Sequence, residues 1–207
     1  MKIVNKFLPA NSYTAVNTNK KRICLHHTVS SPLSIDGDLA TFAAQRNIAT
    51  QYIIGGDGTI YKCIPENYWA HHLGLRTANN VQLNQETIGI EIDAWGQLSQ
   101  ATPDVYLTAY GRPIPSNLPV ETLEKPFRGS RFYQEYSDAQ ISSLRQLLLK
   151  LFVEHLIPVS GLCKTLNFEL LKPDEYVKPG LYSHSNFRAD KSDVYPAKKL
   201  IYMLRML

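Results

Sequence analysis

The chain has 207 residues, 44% of them hydrophobic and 19% charged, which is enough for one good-sized core, and a single domain over 1–207 is the expectation. A net charge of +4 without a long lysine or arginine run suits an anionic polymer or surface and argues against nucleic acid as the partner. Three cysteines (Cys24, Cys63 and Cys163) without CxxC spacing exclude a disulfide framework and a cysteine-rich zinc site, and fit synthesis in a reducing compartment.

The opening MKIVNKFLPANSY is interrupted by Lys6 and Pro9 before any apolar run long enough for a signal peptide, and no stretch approaches a membrane span. Cytoplasmic synthesis is therefore expected, with no membrane insertion. RICLH (22–26) alternates, with Ile23 and Leu25 on one face and Cys24 and His26 on the other. Leu39, Phe42 and Ala43 predict a short helix over about 36–46. QYII and TIYKCI (51–64) read as two strands joined by the glycine-rich turn GGDG. TIGIEID (87–93) places Ile88, Ile90 and Ile92 on one face and Gly89, Glu91 and Asp93 on the other.

Residues 97–135, rich in proline, glycine and tyrosine, lack firm periodicity and read as an insertion or a functional loop. Ser137 and Gln140 have capping-box spacing and open a long helix through Ile141, Leu144, Leu148, Phe152 and Leu156, which Pro158 stops. SHSNFRADKSDVYP (183–196) reads as a loop with almost nothing to build a core. Pro196 then starts a final helix carrying Leu200, Ile201, Leu204 and Leu207. Strands interleaved with helices indicate an α/β domain, a central mixed sheet flanked by helices.

Polar residues on the strands carry the functional signal. Glu91 lies mid-strand among isoleucines, where a carboxylate is costly unless it meets water or a partner. Both readings are open, since a half-buried strand also exposes charges on its solvent face. Five of the six histidines, His26, His27, His71, His72 and His184, lie at strand ends or in loops; His155 reads as a surface or helix-end residue. Together with Lys191 and Asp193, the five suggest a metal site of imidazoles and one carboxylate, the set zinc prefers in catalytic sites. The H-E-x-x-H helix signature is absent, so the pattern is not that of a zincin.

Five segments in order, ICLHHT (23–28), QYIIGGDGTIYKCIPE (51–66), AHHLG (70–74), TIGIEI (87–92) and SHSNFRADKSD (183–193), resemble the zinc-dependent N-acetylmuramoyl-L-alanine amidases. This amidase type 2 group shares its fold with animal peptidoglycan-recognition proteins. The GIE and K-x-D variants look most like the anhydro-muropeptide amidases and many phage or prophage endolysins.

The resemblance implies one zinc ion held by His26, His184 and Asp193, with Glu91 as the acid–base group and Lys191 stabilising the oxyanion. It also implies a substrate contact for His72, while His27 falls on the other side of the strand end as a structural or supporting residue. Thr50 stands about where some branches carry a tyrosine, which leaves the acid–base role to Glu91. The gap from His184 to Lys191 is about one residue shorter than in the anhydro-muropeptide enzymes, which makes Asp190 a rival to Asp193 as third ligand. Arg188 either binds a stem-peptide carboxylate or pairs with Asp190. Tyr106, Tyr110 and Phe127 in the 97–135 segment either wall the substrate groove or pack on the sheet edge.

The implied partner is peptidoglycan or muropeptides, acted on by a monomer either at the cell wall after release or export or in the cytoplasm. The alternatives are a non-catalytic peptidoglycan-binding module and a zinc amidase acting on a different amide.

Overall fold

The computed structural model describes residues 1–207. In chain order the elements are β1 (Ile3–Asn5), β2 (Arg22–His27), α1 (Asp36–Ala44), β3 (Tyr52–Ile54), β4 (Ile60–Lys62), α2 (Asn80–Gln85), β5 (Thr87–Ile92), β6 (Gln97–Thr102), β7 (Val105–Leu107), β8 (Val120–Phe127), β9 (Ser130–Gln134), α3 (Asp138–Glu154), α4 (Leu162–Thr165), α5 (Pro173–Tyr176), β10 (Gly180–Ser183), α6 (His184–Phe187) and α7 (Lys198–Leu204).

The first sheet has the order β1-β4-β3-β5-β2-β10, parallel except for the β3–β4 hairpin. Every residue of β2 and of β5 is buried, as central parallel strands covered on both faces require. Their alternation sorts the layers. Ile23, Leu25, Ile88, Ile90 and Ile92 join Leu144, Leu147, Leu148 and Leu151 of α3 in the main core, with Leu200 and Met203 of α7. Each such side chain stabilises the fold by about 1.5–3 kcal/mol relative to exposure.

The other face carries two smaller clusters. One gathers Ala49, Ile53 and Ile64 under Leu39 and Phe42 of α1; the other gathers Cys24, Leu73, Leu83 and Tyr182. His26 and Glu91 share this second face. α3 opens on the expected capping box: the Ser137 hydroxyl accepts from the Gln140 N–H, and the Gln140 side chain accepts from the Ser137 N–H.

Three expectations are corrected. Residues 97–135 are not a structureless loop: β7-β6-β9-β8 form a second, antiparallel sheet. Most of β6 is exposed, so its polar sequence carries no apolar rhythm to read. Segment 183–196 is not a coreless loop, because β10 pairs with β2 and Phe187, Val194 and Tyr195 are all buried. Pro196 does not start the last helix, which begins at Lys198 after Ala197 as N-cap. No helix is long and apolar enough to cross a membrane.

Candidate metal centre

Three adjacent parallel strands deliver the site at their carboxyl ends, where open α/β sheets place ligands. In register, His26 on β2 lies beside Glu91 on β5, and Ser183 on β10 lies beside Leu25. The next residue on β10's side, His184, therefore emerges next to His26. It opens α6, whose Asn186 side chain accepts from the Ser183 N–H (2.9 Å). The Ser185 N–H then binds the Asp193 carbonyl (2.8 Å), bringing that residue back to the strand ends.

The result is a triangle of ligand atoms. His184 Nδ1 lies 2.8 Å from Asp193 Oδ2, the two histidine Nδ1 atoms lie 3.0 Å apart, and His26 Nδ1 lies 3.2 Å from the same carboxylate oxygen. All three residues are buried, and together they form a group that could hold a metal ion.

The tautomers follow from the outer contacts. His72 Nε2 faces the Thr87 carbonyl (3.4 Å), which only accepts, so the His72 proton sits on Nε2 and its Nδ1 is an acceptor. His26 Nε2, 2.9 Å from that Nδ1, is then the donor. His184 Nε2 donates to the Leu73 carbonyl (2.9 Å). Both neutral imidazoles thus turn a bare Nδ1 lone pair toward a carboxylate. Three acceptors and no proton converge, and a cation satisfies all three at once.

Two neutral imidazoles and one carboxylate are the donor set of a catalytic zinc site, whose ~2.0 Å bonds imply donor separations of about 3.3 Å. The residues fit such an ion. Burial, reinforced by His184, pushes the His26 pKa down to about 4, which keeps the ring neutral.

His72 emerges with a role that the sequence did not reveal: its ring orients His26, and its own backbone N–H is fixed by the Asn84 side chain (2.8 Å). Gly89 makes room for it, since a Cβ there would lie 3.2 Å from the His72 ring and 2.7 Å from Thr50 Cγ2. Partners that orient a metal-binding histidine are worth 10–100-fold in metal affinity. His72→Phe should therefore weaken metal binding by roughly that factor in a chelator competition. A change in KM alone would assign His72 to substrate instead.

Glu91 is buried, and its Oε2 has no hydrogen-bond partner. Burial first, then the negative charges of Asp193 and Asp38, push its pKa well up; Lys191 is the charge that pulls it down. Behind it, Asp93 meets Asp38 carboxyl to carboxyl, while Thr28 and Ser30 donate to Asp93 Oδ1 (3.0 and 3.1 Å). Burial and the Asp38 charge raise Asp93 to about 7.

A carboxyl raised in the folded state makes stability fall as pH climbs from the unfolded value near 4 through about 7. Asp93→Asn keeps the acceptor for Thr28 and Ser30 and donates to Asp38. In thermal melts it should be more stable than the parent at pH 8, by on the order of 2–4 kcal/mol, with the gap closing near pH 4.

The remaining sequence candidates separate. Arg188 donates through Nε and Nη2 to Asp190 (3.0 and 2.6 Å) and through Nη1 to the Gly74 carbonyl (2.9 Å). Its fork is filled by the local pairing, and Asp190 sits in that exposed pair, away from the two histidines. His155 caps α3 and pairs with Glu66 (3.1 Å). Phe127 is buried in the main core and Tyr106 packs on Phe132, while Tyr110 is exposed.

The second sheet grips the segment that supplies two of the triangle's three corners. Arg128, in the β8–β9 turn, donates to the carbonyls of Ser185 (3.2 Å) and Ala189 (3.4 Å). Glu121 accepts from the Tyr195 hydroxyl (3.3 Å) and the Lys198 N–H (3.0 Å), and Tyr195 stacks between Tyr133 and Tyr136. Nothing local in the sequence signals Arg128 or Glu121, because each acts on a segment more than 50 positions away.

The profile of the N-acetylmuramoyl-L-alanine amidase family matches residues 17–196. No curated protein sequence matches significantly. Among solved structures, the chain is similar to N-acetylmuramoyl-L-alanine amidase LysC from Clostridium intestinale URNW, at TM-score 0.50 and 20% identity, covering 91% of this chain and 85% of that one. It is similar to a mutant endolysin from Bacillus subtilis at TM-score 0.53 and 15% identity, over 93% of this chain and 88% of that one. A third similarity is to a complex of tracheal cytotoxin with the ectodomains of peptidoglycan recognition proteins LCa and LCx, at TM-score 0.51 and 16% identity, over 99% and 95% of the two chains. At these identities the likenesses establish the fold: a mixed sheet flanked by helices, shared by amidases and recognition proteins.

Proposed function

Since the chain belongs to the N-acetylmuramoyl-L-alanine amidase family, we propose that it is a zinc-dependent amidase cleaving the bond between the lactyl group of N-acetylmuramic acid and L-alanine of the stem peptide. The observation that carries this reading is the convergence of three proton-free acceptors, His26 Nδ1, His184 Nδ1 and Asp193 Oδ2, one strand away from a buried carboxylate with an unpaired oxygen. A recognition module needs neither feature.

When bound at that triangle, zinc supplies a Lewis acid and lowers the pKa of water toward roughly 7. Glu91 takes the proton of the attacking water and returns it to the departing alanine nitrogen, a transfer worth typically 10²–10⁴-fold. Its elevated pKa suits both halves of that task. Lys191 balances the charge that develops on the carbonyl oxygen. His72 and the Leu73 carbonyl hold the two histidines in the tautomers the metal requires. The substrate is peptidoglycan or soluble muropeptides, and the protein acts as a monomer.

A digest of purified peptidoglycan by the zinc-loaded protein, read by mass spectrometry, tests the reading. Stem peptides with free L-alanine amino termini and glycan with intact lactyl carboxylates are expected. Wall that is bound but retains its lactyl–alanine bonds would replace the enzyme with a binding module.

A further inference from the structure

Behind Glu91 lies a pair of carboxylates that the amidase mechanism does not use. Asp93 follows β5 and is fully buried; Asp38, in the first turn of α1, is 6% exposed. The Asp93 backbone is fixed on both sides, its N–H on the Ile54 carbonyl (2.9 Å) and its carbonyl on the Gln140 side-chain amide (2.7 Å). Thr28 and Ser30 donate to Oδ1, while Oδ2 has no hydrogen-bond partner, and Asp38 Oδ2 has none either. Two acceptors are thus buried against each other, and the surrounding shell supplies donors to one side only.

The pair is not sealed off. Asp93 forms the floor of a cavity of about 320 Å³ between the 32–36 segment and the glycine-rich turn of the β3–β4 hairpin. Gly56 brings that turn close, since a Cβ there would lie 2.4 Å from the Pro32 carbonyl oxygen. Besides Asp93, the charged groups lining the cavity are Asp36 and Asp57. No lysine, arginine or histidine lines it, in a chain whose net charge is +4. Asp57 accepts from the Thr59 N–H and hydroxyl (2.9 and 2.8 Å), and these bonds favour its ionised form.

Two buried carboxylates in contact need a proton or a cation between them. A proton is enough for a closed pair at low pH. Here an opening flanked by two further carboxylates leads to the pair, which draws in a cation and leaves room for its remaining water ligands. The donors are all oxygen: the two carboxylates, with the Ser30 and Thr28 hydroxyls beside them, and no imidazole or thiol. Such a set suits a hard cation, and calcium accepts irregular carboxylate geometry where magnesium demands a near-ideal octahedron. We propose that Asp38 and Asp93 hold a calcium ion, admitted past Asp36 and Asp57, as a second metal site separate from the triangle of His26, His184 and Asp193. The ion ties the first turn of α1 to the end of β5 and replaces a repulsion with a bridge. The site goes beyond the amidase reading and does not depend on it.

The test is calorimetric titration of calcium chloride into the zinc-loaded protein at pH 8, with zinc present so that the triangle is not available to calcium. One-site binding is expected, with a Kd of about 10⁻⁴–10⁻³ M, and 5 mM calcium should raise the melting temperature by roughly 2–9 °C. Asp38→Asn and Asp93→Asn should each weaken calcium binding at least about tenfold and leave zinc content unchanged. The advantage of Asp93→Asn over the parent at pH 8 should shrink when calcium is added, because only the parent gains from the ion. Circular dichroism confirms that both variants are folded. The proposal is overturned if no saturable binding occurs up to 5 mM calcium, or if both folded variants bind it as tightly as the parent. In either case the pair shares a proton alone, and the amidase reading still stands or falls on muropeptide cleavage.

Discussion

Asp193→Asn should stabilise the metal-free chain and weaken its response to zinc by a factor on the order of 10²–10³. In the parent at pH 8, Asp193 Oδ2 faces two histidine lone pairs at 2.8 and 3.2 Å with no proton to share among them. An asparagine amide of nearly the same shape turns an N–H toward those nitrogens. Relieving buried acceptors that lack a donor is worth about 1–3 kcal/mol, and each kcal/mol moves the melting temperature of a chain this size by roughly 2–4 °C. The variant simultaneously loses one of the three proposed ligands. Sharing the ~10–16 kcal/mol of a four-ligand zinc site equally assigns about 2.5–4 kcal/mol to each, on the order of 10²- to 10³-fold in affinity. Melting curves with chelator and with zinc read both effects. A metal-free variant less stable than the parent would mean that one of the imidazole protons sits inside the triangle, against the tautomers set by Thr87 and Leu73.

Glu91→Gln separates chemistry from metal binding. Glutamine keeps the volume and cannot accept a proton, so kcat should fall by roughly 10²–10⁴ while zinc content stays at the parent level. The pH profile adds a sign. In the proposed mechanism Glu91 acts deprotonated, so kcat/KM should rise with pH through its elevated pKa. Lys191 is the charge that lowers that pKa. Lys191→Met should then move the rising limb to higher pH, in addition to a loss of about 2.7–4 kcal/mol of transition-state stabilisation typical of an oxyanion donor. A profile that keeps its acid limb in Lys191→Met would uncouple the two residues and remove Glu91 as the titrating base.

Much of the frame is legible in the sequence because it is written in local rhythm. Ile88, Ile90 and Ile92 declare one face of β5, and Ser137 with Gln140 declares the start of α3. Glu91 is conspicuous as a carboxylate in that strand, and His26 as the polar end of an apolar one. The folding of segment 180–198 is not legible, since β10 has four residues and finds its partner 158 positions upstream. A pairing so short and so distant leaves no periodic trace. The same holds for β6–β9, whose exposed faces are polar and whose contacts to Ser185, Ala189 and Tyr195 join distant parts of the chain. The tautomer-setting contacts of His72 and Leu73 are likewise consequences of the fold, visible only once Thr87 and His184 are in place.

The amidase reading turns on one zinc ion held by His26, His184 and Asp193. Titrating the chelator-stripped protein with zinc while following newly released L-alanine amino termini from a muropeptide tests it most directly. The expected curve rises linearly and breaks at one equivalent of zinc per chain, with Glu91→Gln binding the same equivalent and releasing nothing. Full peptide release from the metal-free protein would contradict that reading, as would a zinc-saturated chain that leaves the lactyl–alanine bond whole.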